Sequence, residues 1–180
     1  MKKITIALMV ISLLATFSIV GFTSNTANHS ITIEFSEFVR VALNSDSNIT
    51  FTVDSSSAGE LPPTKYDTTK RLYYLALIDP TKTTLIDVSL TSGTIPTSEY
   101  SLEVETTGIS AAIGNPGSAS ADQPIDLSTG GTLITSIGPV ATGTSETDGA
   151  ALKYTLSFNA VPDPTTDGEY TVTYTINDAS

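Results

Sequence analysis

Tyr170-Thr171-Val172-Thr173-Tyr174-Thr175-Ile176, close to the C-terminus, places a large apolar side chain at every second position. Successive side chains of a β-strand point to opposite faces of a sheet, so this pattern puts one face on a core and the other in solvent. Residues 153–158 repeat it, because Tyr154, Leu156 and Phe158 alternate with polar residues. The two runs predict half-buried antiparallel strands.

Six further runs with strand character precede this pair. Four alternate, one is continuously apolar as in a strand covered on both faces, and one is weaker; they are residues 30–35, 48–53, 72–78, 85–90, 100–104 and 133–137. Seven or eight such runs at short spacing predict an all-β protein, an antiparallel β-sandwich. Residues 106–131 are rich in Gly, Ser and Ala and predict an exposed excursion, with a short strand at 125–127 as the alternative.

The chain begins with the pattern of a secretory signal peptide. Lys2 and Lys3 form a basic start, Ile4–Phe22 is an apolar run without a charge, and small residues follow. This order predicts that residues 1–27 are removed on export, which leaves 28–180 as a single domain. The apolar run is long enough to span a bilayer, so a retained anchor is the alternative. We expect a secreted or cell-surface protein, with the periplasm as the alternative.

Composition argues against nucleic-acid binding and against catalysis. The net charge is −11, and removal of Lys2 and Lys3 takes it to −13, so the phosphate backbone of a nucleic acid would be repelled. There is no Cys, and the single His is His29, beside the predicted cleavage point. A Ser–His or Cys–His nucleophile pair inside the fold is therefore excluded, and zinc lacks its usual ligands. We predict that the protein is not an enzyme.

Carboxylates are the remaining candidates for chemistry. Glu103 and Glu105 lie on one face of a predicted strand, as the acid pair of a glycosidase could, although a solvated outer face explains them as well. Asp163 and Asp167 lie in one predicted hairpin loop and offer oxygen ligands to Ca²⁺. Turns also favour Asp and Gly for conformational reasons. We predict no cofactor, with a Ca²⁺ site at Asp163 and Asp167 as the alternative.

The start of the last strand has a distinctive local pattern. Gly168 lies two residues before Tyr170, which begins the apolar row. This resembles the tyrosine corner of immunoglobulin-like sandwiches, in which the Tyr hydroxyl bonds nearby backbone at the start of strand F; an ordinary hairpin is the alternative. A further strand, G, follows F in complete domains, whereas this chain stops at Ser180. The pattern predicts an open apolar groove, which a strand from another chain could cover.

The N-terminal part of the predicted domain supplies a candidate for that strand. Residues 30–35 alternate, with Ile31, Ile33 and Phe35 on one face. This arrangement resembles the donor-strand-exchanged pilin subunits of bacterial and archaeal surface filaments, in which each N-terminal extension completes the sandwich of the next subunit. The resemblance covers only the two ends and assigns residues 28–43 to the extension. One departure is that the best-known chaperone–usher pilins contain a disulfide, whereas this chain has no Cys.

These observations lead to one leading expectation about function. The resemblance implies a non-catalytic structural subunit of an extracellular filament or surface layer, with copies of itself as partners. If residues 30–35 pair instead within their own subunit, the alternative is a monomeric secreted or periplasmic binding domain that uses Ca²⁺. A carboxylate-only hydrolase or an enzyme accessory is a third alternative.

Overall fold

The computed structural model describes residues 29–53, 57–163 and 168–177. Its regular elements in those ranges are β-strands, and that part of the chain contains no helix long and apolar enough to cross a membrane. The chain divides after Phe35 into two units, and all the strands belong to the second. The strands are β1 Phe38–Leu43, β2 Lys65–Asp67, β3 Arg71–Leu77, β4 Thr84–Ser92, β5 Tyr100–Ser110, β6 Ile113–Gly114, β7 Ser118–Ala119, β8 Ile125–Asp126, β9 Gly131–Ile137, β10 Val140–Ala141, β11 Gly149–Phe158 and β12 Thr171–Asn177.

The strands form two antiparallel sheets that share one core, so the predicted β-sandwich is confirmed. The first sheet has the order β6-β10-β3-β11-β5-β8, with β1 on the other edge of β3 and β2 beside β11. The second sheet has the order β12-β4-β9-β7. The strands outnumber the predicted seven or eight because several two-residue strands pair only briefly and leave no periodic signal in the sequence.

Strands β10 and β11 pair one after the other with the same edge of β3, and a loop separates them. Val140 and Ala141 pair with Ala76 and Leu75 of β3, and Ala150 then pairs with Leu72. The register along β3 therefore skips residues 143–148, which loop out of the sheet while the pairing continues on either side.

The core lies between the sheets and follows from the alternation along each strand. In β3, Leu72, Tyr74 and Ala76 are buried, while the residues between them face outward. Burying one large apolar side chain stabilises a fold by about 1.5–3 kcal/mol, so the core is the main source of stability. The largest fully buried side chains include Leu72, Ile86, Leu127, Leu133, Ile134, Ile137 and Leu152.

Two predicted strands are not strands in the structure. Residues 30–35 form none, and the first strand is instead Phe38–Leu43, which pairs with β3. Residues 48–53 also form none, although Ile49 and Phe51 pack against the core. The preceding loop is held instead by buried Lys70, whose Nζ donates to the carbonyl oxygens of Ser45 and Ser47.

Two finer predictions also need correction. The run at 72–78 was expected to be covered on both faces, but the outward residues of β3 are partly exposed. Residues 106–131 are not a wholly exposed excursion, because Ile125 and Leu127 are buried in the core. The alternative, a short strand there, is present as β8. In both cases the exposure of a segment depends on residues far away in the sequence, so the local composition does not predict it.

Candidate strand-acceptor groove

Two edge strands, one from each sheet, lie next to each other. β1 pairs with β3 alone and β12 with β4 alone among the described residues, and β1 contacts β12. The outer edge of each strand therefore presents backbone N–H and C=O groups, which are the groups that pair with an added strand.

The side chains that face inward from these two strands are only partly covered. Val39 and Val41 of β1 and Tyr174 and Ile176 of β12 are half-buried, whereas the inward residues of β3 are buried. A cavity of about 710 Å³ is lined by Val39–Ala42, Tyr73–Leu75, Ala141–Thr144 and Tyr174–Ile176. We call this feature the acceptor groove. It combines an apolar lining with two free strand edges.

A pair of tyrosines forms a rigid base beside this groove. The hydroxyl of Tyr174 lies 2.5 Å from that of Tyr154, so one hydroxyl donates to the other across the two sheets. Burial raises the pKa of both hydroxyls, so both phenols are neutral at physiological pH. The pair fixes β12 against β11 without placing a charge near the groove.

A second tyrosine pair anchors the start of β12. The hydroxyl of Tyr170 lies 2.5 Å from that of Tyr100 on the opposite sheet. Gly168 lies against this phenol, because a Cβ added there would overlap the Tyr170 hydroxyl oxygen. The predicted tyrosine corner requires a bond to nearby backbone, whereas the partner found among the described residues is a side chain from the other sheet. Residues 164–167, just upstream of Gly168, lie outside the described residues, so the tyrosine corner itself stays a prediction.

The predicted assembly residues are exposed and lie outside every strand. The exposed fractions are 76% for Ile31, 71% for Ile33 and 80% for Phe35. The predicted extension 28–43 is also shorter than expected, because residues 38–43 are β1 of the chain's own sheet. The part that precedes the first strand ends at Glu37.

Of the two carboxylates considered for catalysis, Glu105 has a side-chain partner. Glu105 forms an ion pair with Lys153, with Nζ and Oε1 2.8 Å apart, and the Lys153 ammonium also lies 4.9 Å from the ring centre of Tyr66. Glu103 pairs in register with Asp126 of β8. Both Glu103 and Glu105 are at outward positions of β5, and the ion pair with Lys153 gives Glu105 a structural role.

Only one of the two predicted Ca²⁺ ligands, Asp163, lies within the described residues, so the Ca²⁺ site stays a prediction. The backbone N–H of Asp163 donates to Oε2 of Glu99 at 3.2 Å, and Asp167 lies outside the described residues. Those residues hold no group of three or more His, Asp or Glu side chains placed to bind a metal ion.

Sequence reasoning missed one essential element of the groove, which is β1. Val39, Val41 and Leu43 alternate with outward residues and pack against the core. This alternation is visible in the sequence and predicts a strand when taken alone. The stronger alternation at 30–35 hides it, because that segment already supplies a candidate for the first strand.

Comparisons with known proteins add no further assignment. The chain matches no protein-family model, and no curated protein or solved structure shows significant similarity to it.

Proposed function

We propose that this protein is a non-catalytic structural subunit of an extracellular filament, assembled by strand addition. Residues 30–35 of one copy would enter the acceptor groove of the next. The observation that carries the proposal is the adjacency of two free strand edges over half-buried apolar side chains, in a chain with an exposed alternating segment. On this proposal the sandwich is immunoglobulin-like, and the exported protein is found at the cell surface or in the medium.

The energetics of strand addition favour this use of the segment. Ile31, Ile33 and Phe35 would exchange water for the apolar lining of the groove, at about 1.5–3 kcal/mol for each side chain fully buried. The added strand would also pair the backbone groups along a free edge. Part of this gain is offset by the cost of ordering the segment and of association. The segment has about the length of β12, so one strand is enough to fill the edge.

The geometry of exchange determines the form of the assembly. Donor and acceptor are different surfaces of the same chain, so the contact is head-to-tail and does not close on itself, which generates a fibre. The predicted charge of −13 per subunit would keep neighbouring fibres apart at low salt.

The proposal is tested by separating donor from acceptor. Residues 28–180 are expected to polymerise, as seen by size-exclusion chromatography and electron microscopy. A chain that begins at Ser36 keeps Glu37 and all of β1 but lacks the donor segment. It is expected to stay monomeric and to bind a synthetic peptide of residues 29–35.

A matched pair of substitutions controls for general effects of charge. Ile33→Asp places a carboxylate on the apolar face of the segment and is expected to abolish polymerisation. Thr32→Asp adds the same charge on the other face and is expected to leave polymers largely intact. A stable monomer of residues 28–180 that forms no fibres even when seeded would refute the proposal.

A further inference from the structure

An apolar patch covers the outer face of the first sheet where β1 begins. Phe38 is directly opposite Leu77 in the β1–β3 pair. Leu75, Ala141 and Ile113 form a row across β3, β10 and β6. The exposed fractions are 42% for Phe38, 36% for Leu77 and 73% for Ile113. Leu75 and Ala141 are partly exposed and also belong to the lining of the acceptor groove. We call these five residues the outer patch; exposed apolar side chains clustered on one face are typical of a contact site.

The charge around the outer patch differs from that of the whole protein. The chain has 19 acidic residues, but β1, β3, β6 and β10 contain neither Asp nor Glu. Arg40 lies opposite Leu75 in the same outward row. Glu37 and Asp79 border the patch just beyond the ends of β1 and β3, and Glu37 is paired there with Lys82. A second copy of an acidic chain therefore meets less like-charge repulsion on this face than on a surface of unpaired carboxylates.

The chain leading into β1 is short and anchored. Oε2 of Glu37 lies 2.9 Å from Nζ of Lys82, and Oε1 accepts the backbone N–H of Asp79 at 2.8 Å. Only Ser36 separates Phe35 from this fixed residue. The Cα atoms of Phe35 and Phe38 can be at most about 11 Å apart, so whatever binds the donor segment must lie close to the start of β1.

We propose that the copy that takes up residues 30–35 also rests on the outer patch of the donor copy. The inference deepens the proposed strand addition and rests on it. The short, anchored connection brings the acceptor copy against Phe38 and Leu77, and contact there removes exposed apolar surface from water. Two contacts per junction, one in the groove and one on the patch, fix the angle between successive subunits.

Thiol protection tests the contact, because the chain has no native Cys. Ile113→Cys is introduced into the full-length chain, the exported protein is purified, and maleimide labelling is compared between polymers and dissociated subunits. Labelling of the polymer is expected to be slower by about tenfold or more, since reactivity follows exposure. Ser89→Cys, on the exposed outer face of the second sheet, is the control and should change by less than about twofold.

Filament stiffness gives a second readout. Ile113→Glu is expected to reduce the persistence length measured by electron microscopy by about threefold or more, because a carboxylate would be forced into a contact between acidic copies. Ser89→Glu should not change it. Polymers of the Ile113→Cys variant whose thiol labels as fast as in free subunits, or an Ile113→Glu variant of unchanged stiffness, overturn the inference but leave strand addition intact. Failure of the unsubstituted chain to polymerise overturns both.

Discussion

The hydroxyl oxygens of Tyr154 on β11 and Tyr174 on β12 lie 2.5 Å apart, and this hydrogen bond joins the two sheets of the sandwich. β12 is an edge strand that pairs with β4 alone among the described residues. The phenol pair therefore adds a fixed cross-sheet contact to a strand that has backbone support on one side only. The position of β12, and with it one wall of the acceptor groove, therefore depends on two side chains. These can be replaced singly or together.

Removing both hydroxyls should cost less than the two single removals added together. Tyr174→Phe leaves the Tyr154 hydroxyl buried without its partner and is expected to lower the free energy of unfolding by about 1–3 kcal/mol. The double variant with Tyr154→Phe leaves no orphaned group and should lose less than the sum of the single variants. The double-mutant cycle is completed by urea unfolding of the unsubstituted chain, of Tyr154→Phe, of Tyr174→Phe and of the double variant. Strictly additive losses would show that the hydroxyls act independently.

Alkaline pH should unfold the protein through its buried phenols. Burial is the main cause that raises the pKa of four of them, namely Tyr74, Tyr100, Tyr154 and Tyr174. Phenols in the unfolded chain ionise near pH 10, while those in the fold stay neutral. Above that pH the native state binds more protons than the unfolded state, so stability falls as pH rises; below it, the contribution is fully present.

The pH dependence can be measured and traced to particular residues. The free energy of unfolding in urea should lose up to about 1.4 kcal/mol per pH unit above pH 10 for each phenol that stays neutral. The double variant of Tyr154→Phe with Tyr174→Phe should show a shallower slope. If the free energy of unfolding falls equally steeply with pH in that variant, groups other than Tyr154 and Tyr174 cause the loss of stability.

Gly93 should tolerate a side chain less well than another glycine with the same backbone angle. Gly93 and Gly59 both have φ near +86°, which strains any L-residue by about 1–2 kcal/mol. A Cβ at Gly93 would also lie 2.6 Å from Cδ1 of Tyr170, whereas nothing lies within 4 Å at Gly59. Chemical denaturation should therefore show a larger loss for Gly93→Ala than for Gly59→Ala. Equal losses would mean that Tyr170 moves aside freely.

Two buried threonines should respond oppositely to replacement by valine. Oγ1 of Thr142 accepts the backbone N–H of Tyr74 at 3.0 Å and donates to the carbonyl oxygen of Tyr74 at 3.1 Å. Oγ1 of Thr84 is buried and has no hydrogen-bond partner among the described residues. Thr142→Val should therefore cost about 1–3 kcal/mol, and Thr84→Val should be neutral or stabilising. Thermal unfolding distinguishes the two; a loss for Thr84→Val would indicate a partner for its hydroxyl.

The parts of the fold that could be predicted from the sequence are those in which burial follows a local period. β4, β5, β11 and β12 alternate because each has one face on the core, so their residues carry the signal themselves. Residues 48–53 alternate too, yet they form no strand, and the segment before them is held by Lys70, more than 20 positions away. A sequence pattern shows which apolar side chains can be buried together, but it does not show which backbone groups will have hydrogen-bond partners in a sheet.

The groove could be predicted only in part. The sequence indicated an uncovered apolar row on the last strand, and the half-buried Tyr174 and Ile176 agree with that expectation. It did not show that β1 forms the opposite wall or that Tyr170 reaches Tyr100, which is 70 positions away. These features depend on which strands become neighbours, and that is decided by the whole topology.

The loop at residues 143–148 has a practical consequence for engineering. Its base is held from outside, since the Arg71 guanidinium donates to the carbonyl oxygens of Thr147 and Asp148 at 3.0 and 2.7 Å. Strand pairing on both sides of the loop is set by β3, and Glu146 is exposed within it. A foreign peptide grafted at Glu146 would therefore lengthen a segment that the sheet already bypasses. If the subunits polymerise, such a graft would be displayed once per repeat along the fibre, as an ordered array of epitopes.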